Sequence, residues 1–212
     1  LINEPTFDVW VNPKNPNTMF VGGEGRVVYR SYDAGNTWDT LIIGYRGGTA
    51  LLNNIFIHPI DTNIVICGGL MFGDVRRTTN HGTNPEDWEI VLQGMRNVAL
   101  NGKALVMKPD DPDVLYIGDY TSGTFYRSLD KGATWDSIST IFITRQVRDS
   151  IGGPTRDTIV PVQICSISIR EDSTNIVFAG SCYGENFLST DGGYTWQLTD
   201  VLVRPQQWQS DC

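Results

Sequence analysis

Four acidic residues, Glu24, Asp74, Asp119 and Glu185, each follow a glycine-marked stretch that closes an apolar run. A pair of carboxyls about 5–9.5 Å apart, one acting as acid and the other as base or nucleophile, is the chemistry of glycoside hydrolysis. These four fall at different offsets after the glycines, and scattered loop acids are ordinarily just solvated. Catalysis is therefore one of two readings for them. Around them lie Arg46, Arg96, Arg145, Arg148 and Arg156, with Asp149 and Asp157, a charged loop set that reads as binding residues. Only two His occur and no two Cys form a CxxC pair, so neither a metal site nor a cofactor is expected.

These residues sit in loops of a repeated framework. The pattern Ser-x-Asp-x-Gly-x-Thr-Trp occurs at Ser31–Trp38, Ser128–Trp135 and Ser189–Trp196, and a degraded copy runs from Thr78 to Trp88. Its central residues Asp33, Asn80, Asp130 and Asp191 are 47, 50 and 61 positions apart. That spacing brackets the period of a four-stranded propeller blade. Ahead of each copy, Pro13, Pro59, Pro109 and Glu171 each stand nine positions before Gly22, Gly68, Gly118 and Gly180.

The punctuation predicts four short strands per repeat, in the first repeat over Phe7–Asn12, Thr18–Val21, Val27–Arg30 and Trp38–Ile43. No segment carries a helical period. The fold class is all-β: a β-propeller of four-stranded antiparallel blades, one array over 1–212. Its blades fall at about 7–43, 52–93, 103–141 and 164–202, with an inserted hairpin at 145–162.

The motif belongs at the turn between third and fourth strands. Asp33, Asp130 and Asp191 accept from backbone amides ahead of them, and Gly35, Gly132 and Gly193 supply positive φ. Trp38, Trp135 and Trp196 then open the next strand and are expected to be mostly buried. In the second copy Asn80 and Gly82 are followed by a longer path to Trp88, which predicts a looser turn.

These residues resemble the Asp-box, or BNR, family over essentially the whole chain. Similar repeats occur in sialidases, sortilin-like receptors, xyloglucan-cleaving glycoside hydrolases and a photosystem II assembly factor. The resemblance implies a propeller and a structural role for the Asp-box residues, while leaving activity open. The Arg-Ile-Pro signature of sialidases is absent from the first blade, which counts against that chemistry.

A net charge of −8 disfavours a nucleic-acid surface, and no apolar run approaches the roughly 20 residues needed for a membrane helix. The chain starts at Leu1 with no basic and apolar leader ahead of the first blade, so it reads as processed or excised. Cys67, Cys165, Cys182 and Cys212 read as small thiols, with a Cys165–Cys182 disulfide as the alternative. Four blades are the minimum for a closed ring and no strand is left over as a latch. The array therefore reads as part of a larger propeller, or one completed by a further subunit; a four-bladed ring is the alternative.

The step from motif Trp to the next repeat is 21 residues twice and 36 residues between the third and fourth blades. The extra segment holds Arg148-Asp149-Ser150-Ile151 and Arg156-Asp157-Thr158-Ile159 around Gly-Gly-Pro-Thr, which predicts a hairpin. Two functions follow. One is a non-catalytic extracellular or cell-envelope module that binds protein or glycan; the other is a fragment of a polysaccharide hydrolase, marked by facing acids and by Tyr45, Tyr120 and Tyr183 lining a groove.

Overall fold

The computed structural model describes residues 5–44, 50–70, 73–95, 103–148 and 154–201. They form four antiparallel four-stranded sheets and one two-stranded sheet, a β-propeller array. The first sheet is the meander β1 (Thr6–Val11), β2 (Met19–Gly23), β3 (Val27–Ser31) and β4 (Asp39–Ile42). The second is β5 (Leu51–Ile57), β6 (Val65–Leu70), β7 (Asp74–Thr78) and β8 (Glu89–Gln93). The third is β9 (Leu105–Lys108), β10 (Asp111–Gly118), β11 (Thr124–Ser128) and β12 (Asp136–Thr140). The hairpin β13 (Phe142–Arg148) and β14 (Thr155–Pro161) precedes the fourth sheet, β15 (Ile164–Ile169), β16 (Val177–Ser181), β17 (Glu185–Ser189) and β18 (Gln197–Val201). The helical element among the described residues is one 3-10 turn, Pro85–Asp87.

The repeat alignment holds rung by rung. Gly22, Gly68, Gly118 and Gly180 pair with Val28, Val75, Phe125 and Asn186, the same rung of each second and third strand. The glycine is needed where blades crowd: a Cβ on Gly22 would lie 2.2 Å from the Leu52 carbonyl oxygen of the next blade.

In each intact motif the Ser hydroxyl accepts the Gly amide, as Ser128 Oγ does from Gly132 at 2.8 Å. The Asp carboxylate accepts both the amide and hydroxyl of the Thr four residues on, at 2.8 and 2.7 Å for Asp130. The indole N–H donates back to the Gly carbonyl, 2.9 Å from Trp38 to Gly35. At the degraded copy Asn80 Oδ1 accepts only from Gly82 and the Thr78 hydroxyl, and the 3-10 turn spans the gap to Trp88. Burial of the Trp follows the sequence expectation: Trp38, Trp135 and Trp196 are largely buried, and Trp88 of the degraded copy is buried more completely still. Each of these three rings of the intact motifs lies across its own turn, its N–H on the motif glycine carbonyl, and packs against a hydrophobic cluster.

The side-chain and backbone hydrogen bonds from Thr195 hold the Asp191 carboxyl down at about 2, against an ordinary 3.8. A depressed carboxyl contributes stability that is present above its unfolded value and lost as pH falls through the folded one, here between about pH 4 and pH 2. Thr195→Ala should move the Asp191 midpoint back toward 3.8 and make stability less steep in that window. Carboxyl-carbon NMR titration reads the midpoint directly, and an unmoved midpoint would show that the Thr195 hydroxyl does not hold the carboxylate.

Two rows of contacts join successive blades. Along the inner strands, Asp8 Oδ2 accepts the Ile55 amide at 2.9 Å, and Asn54 Oδ1 accepts those of Ala104 and Leu105 at 3.2 and 3.3 Å. The third junction uses main chain instead, Ile167 N–H to Lys103 carbonyl at 2.9 Å. Farther out, the arginine just before one motif reaches the motif of the next blade. Arg30 donates to the Gly82 carbonyl and Arg77 to that of Lys131, both at 2.9 Å. Arg127 stacks over Tyr194, 5.0 Å from the ring centre. The guanidinium heads do the joining. Leu188 holds the fourth equivalent position, so the series stops there.

The two ends of the array expose what its interior buries. Val9 is 56% exposed where its equivalent Ile55 is 2% exposed, and Phe178 is 44% exposed where its equivalent Phe20 is fully covered. Each interior residue is covered by the adjacent blade; among the described residues neither end residue has a blade beside it.

Candidate functional site

An antiparallel meander puts the second-to-third-strand turns, and the connections between blades, at the end opposite the motif turns. The four loop acids lie there, and the structure gives each its own partners. Asp74, buried at the start of β7, is bonded by Arg76 at 3.1 Å, and Arg26 approaches to 3.7 Å. Asp119, buried after β10, accepts the Thr121 amide and Ser122 hydroxyl at 2.9 and 2.7 Å, closing its own loop. Glu185, buried at the start of β17, is bonded by Arg145 at 2.6 Å and by the Ser181 hydroxyl. The Glu24 side chain is exposed beside a β-bridge to Leu51. No two of the four share a bonding partner among these contacts.

The inserted segment pairs from Phe142↔Pro161 to Arg148↔Thr155 and so begins three residues earlier than the sequence suggested. Its base is tied in by Ile141 N–H to Gly123 carbonyl and Val162 N–H to Ile141 carbonyl, at 2.9 and 2.8 Å. Arg145 anchors it to the fourth blade, bonding Glu185 and lying 4.2 Å from the centre of the Tyr183 ring. Strand alternation places Arg148 and Asp157 on one face of the hairpin and Arg156 on the other, all three exposed. Arg46, Arg96, Asp149 and Tyr45 lie outside the described residues. Cys165 and Cys182 are joined, a correction to the thiol reading; the bond ties the strand following the hairpin to the Ser181–Glu185 loop. Cys67 is a buried thiol.

Two hollows escaped sequence reading. One, about 210 Å³, lies among the inner strands, lined by Asp8, Trp10, Asn54 and Lys103. Burial pushes the Asp8 carboxyl up, opposed by hydrogen bonds from the Ile55 and Val9 amides and by the Lys103 charge. Lys103 Nζ sits 5.1 Å over the Trp10 ring. Asp8 was legible in principle, since the repeat alignment sets it against Asn54, Ala104 and Ser166. The other, about 610 Å³, is an open groove at the rim between the hairpin and the fourth blade, lined by Phe142, Tyr194 and Trp196 among others. Among the described residues no cluster of three or more His, Cys, Asp or Glu could hold a metal ion, and no helix is long and apolar enough to cross a membrane.

The fold is that of a β-propeller, seen here as an arc of four blades. No family model matches the chain. It is similar to the xyloglucanase Xgh74A of Acetivibrio thermocellus, 26% identical over 165 residues, 69% of this chain and 19% of the relative. Among solved structures, it resembles an ancestral GH74 enzyme at TM-score 0.65 and 18% identity, over 92% of this chain and 24% of that one. It also resembles the GH74 xyloglucanase from Xanthomonas campestris at TM-score 0.65 and 19% identity, over 95% and 31%. The chain thus spans about a fifth of the curated relative it matches.

Proposed function

We propose that the chain is an arc of a larger Asp-box propeller, acting as a non-catalytic recognition module in a secreted or cell-envelope setting. It binds protein or glycan partners through the loop face and the inserted hairpin. The observation that carries this reading is the commitment of the loop acids. Asp74, Asp119 and Glu185 are buried and bonded within their own loops or to the hairpin, an arrangement that fixes loops rather than presenting a free acid–base pair. The Cys165–Cys182 bond suits an oxidising compartment.

A second reading has one specific support, the similarity to Xgh74A. The chain would then contribute structural blades to a polysaccharide hydrolase whose acids lie in other blades.

Replacing Arg148–Ile159 by a short Gly-Ser link separates recognition from fold. The thermal midpoint should change little, because β13 keeps its base contacts, while retention on immobilised partner or glycan should fall at least tenfold. Unchanged retention would remove the hairpin from the recognition surface. Release of reducing ends from xyloglucan by the chain joined to further blades, and none by the chain alone, would instead favour the hydrolase reading.

A further inference from the structure

We propose that the rim groove between β13 and the fourth blade is a binding site for an uncharged polysaccharide chain. The inference rests on the recognition-module reading and assigns it a ligand class and a second location, apart from the hairpin tip.

The groove exists because of the insertion. At the junction of second and third blades the equivalent of Phe142 is Met95, which is fully buried. At the third junction the chain turns out into β13 at that point, and Phe142 is left 57% exposed on the groove wall. The opposite wall carries Tyr194, Trp196, Phe187 and Leu198.

The wall is organised in advance. The Trp196 indole N–H donates to Ser139 Oγ and to the Gly193 carbonyl, both at 3.0 Å, and Ser139 Oγ donates to the same carbonyl at 2.6 Å. The Trp196 ring is further held edge-on by Phe125, with centroids 5.0 Å apart. Arg127 stacks on the Tyr194 ring. Phe142 stands on a strand anchored by Arg145. Rings already ordered lose little freedom on binding, which favours affinity.

The chemistry selects the ligand. No lining residue is an Asp, Glu, Lys, Arg or His. Aromatic rings share the lining with the hydroxyl-bearing side chains Thr140, Thr144 and Tyr194. A pyranose presents apolar C–H faces that pack on rings and hydroxyls that bond to neutral side-chain oxygens, whereas an anionic chain would find no counter-charge. An opening of about 610 Å³ accommodates a few sugar units.

The test is affinity gel electrophoresis of the native chain in gels containing xyloglucan, β-glucan or polygalacturonate, with Phe142→Ala, Tyr194→Ala and the Arg148–Ile159 replacement run in parallel. The expected result is retardation by a neutral polysaccharide, with dissociation constants raised at least fivefold in Phe142→Ala and Tyr194→Ala, and no retardation by polygalacturonate. Both side chains are half-exposed or more, and circular dichroism confirms that each variant is folded. No retardation by any neutral polysaccharide overturns the groove assignment. Glycan binding lost only in the hairpin replacement also overturns it, while leaving the recognition-module reading standing. Loss of self-association rather than of glycan binding in Phe142→Ala would give the groove to a second copy and overturn the proposal.

Discussion

Phe125→Ala should lower the unfolding free energy by about 3–5 kcal/mol, a large share of the roughly 5–15 kcal/mol that a domain possesses. Phe125 is fully buried in β11 and ties the third blade to the fourth. Its ring stacks on Tyr116 with centroids 5.4 Å apart and meets the edge of Trp196 at 5.0 Å. The fourth motif turn lies so close that a Cβ on Gly193 would come within 2.3 Å of the Phe125 ring. Truncation therefore leaves a void between two elements held apart by their own hydrogen bonds, which limits collapse. Val28 and Val75, at the equivalent positions of the first two blades, are smaller and should cost less. Urea unfolding followed by tryptophan fluorescence measures the difference; a loss below about 1 kcal/mol would show that the junction refills.

The motif turns were legible because their chemistry is local. A carboxylate that accepts from an amide and hydroxyl four residues on needs only Ser-x-Asp-x-Gly-x-Thr, and the structure repeats that pattern at Asp33, Asp130 and Asp191. Asn80 shows the converse: without the second carboxylate oxygen, a 3-10 turn replaces the clasp. The strands of the first blade also came within one or two residues of their observed bounds, since Gly and Pro punctuate them.

What was hidden lies between positions about fifty residues apart. Arg30 reads as a surface arginine until the second blade sets Gly82 against it. Asp8 reads as an exposed strand residue until the Ile55 amide is placed at 2.9 Å. Glu185 reads as a free loop acid until the hairpin delivers Arg145. The rim groove belongs to the same class, because Phe142 and Trp196 are remote in sequence and the register that opens the groove follows from the length of the insertion.

The second large effect concerns the ends of the arc. β1 presents Phe7, Val9 and Val11 on one face, all exposed, whereas Ile55 and Ile57 at the last two of these positions are buried against the first blade. At the other end Phe178 is exposed where Phe20, Ile66 and Tyr116 are buried. Both are blade-packing surfaces without a blade. An isolated arc that leaves them open should associate through them, since burying apolar surface yields about 25 cal/mol per Å², and closure removes unprotected sheet faces and edges. Lysine at Val9 and Phe178 would place charge on both faces without disturbing the interior junctions.

Sedimentation velocity of the 212-residue chain over a wide concentration range, beside the Val9→Lys, Phe178→Lys double variant, tests the larger-propeller claim most directly. The expected result is concentration-dependent association of the parent chain and a monomeric, equally folded variant. A parent chain that stays monomeric at every concentration, with Val9 and Phe178 protected from solvent as in a closed four-bladed ring, would contradict it.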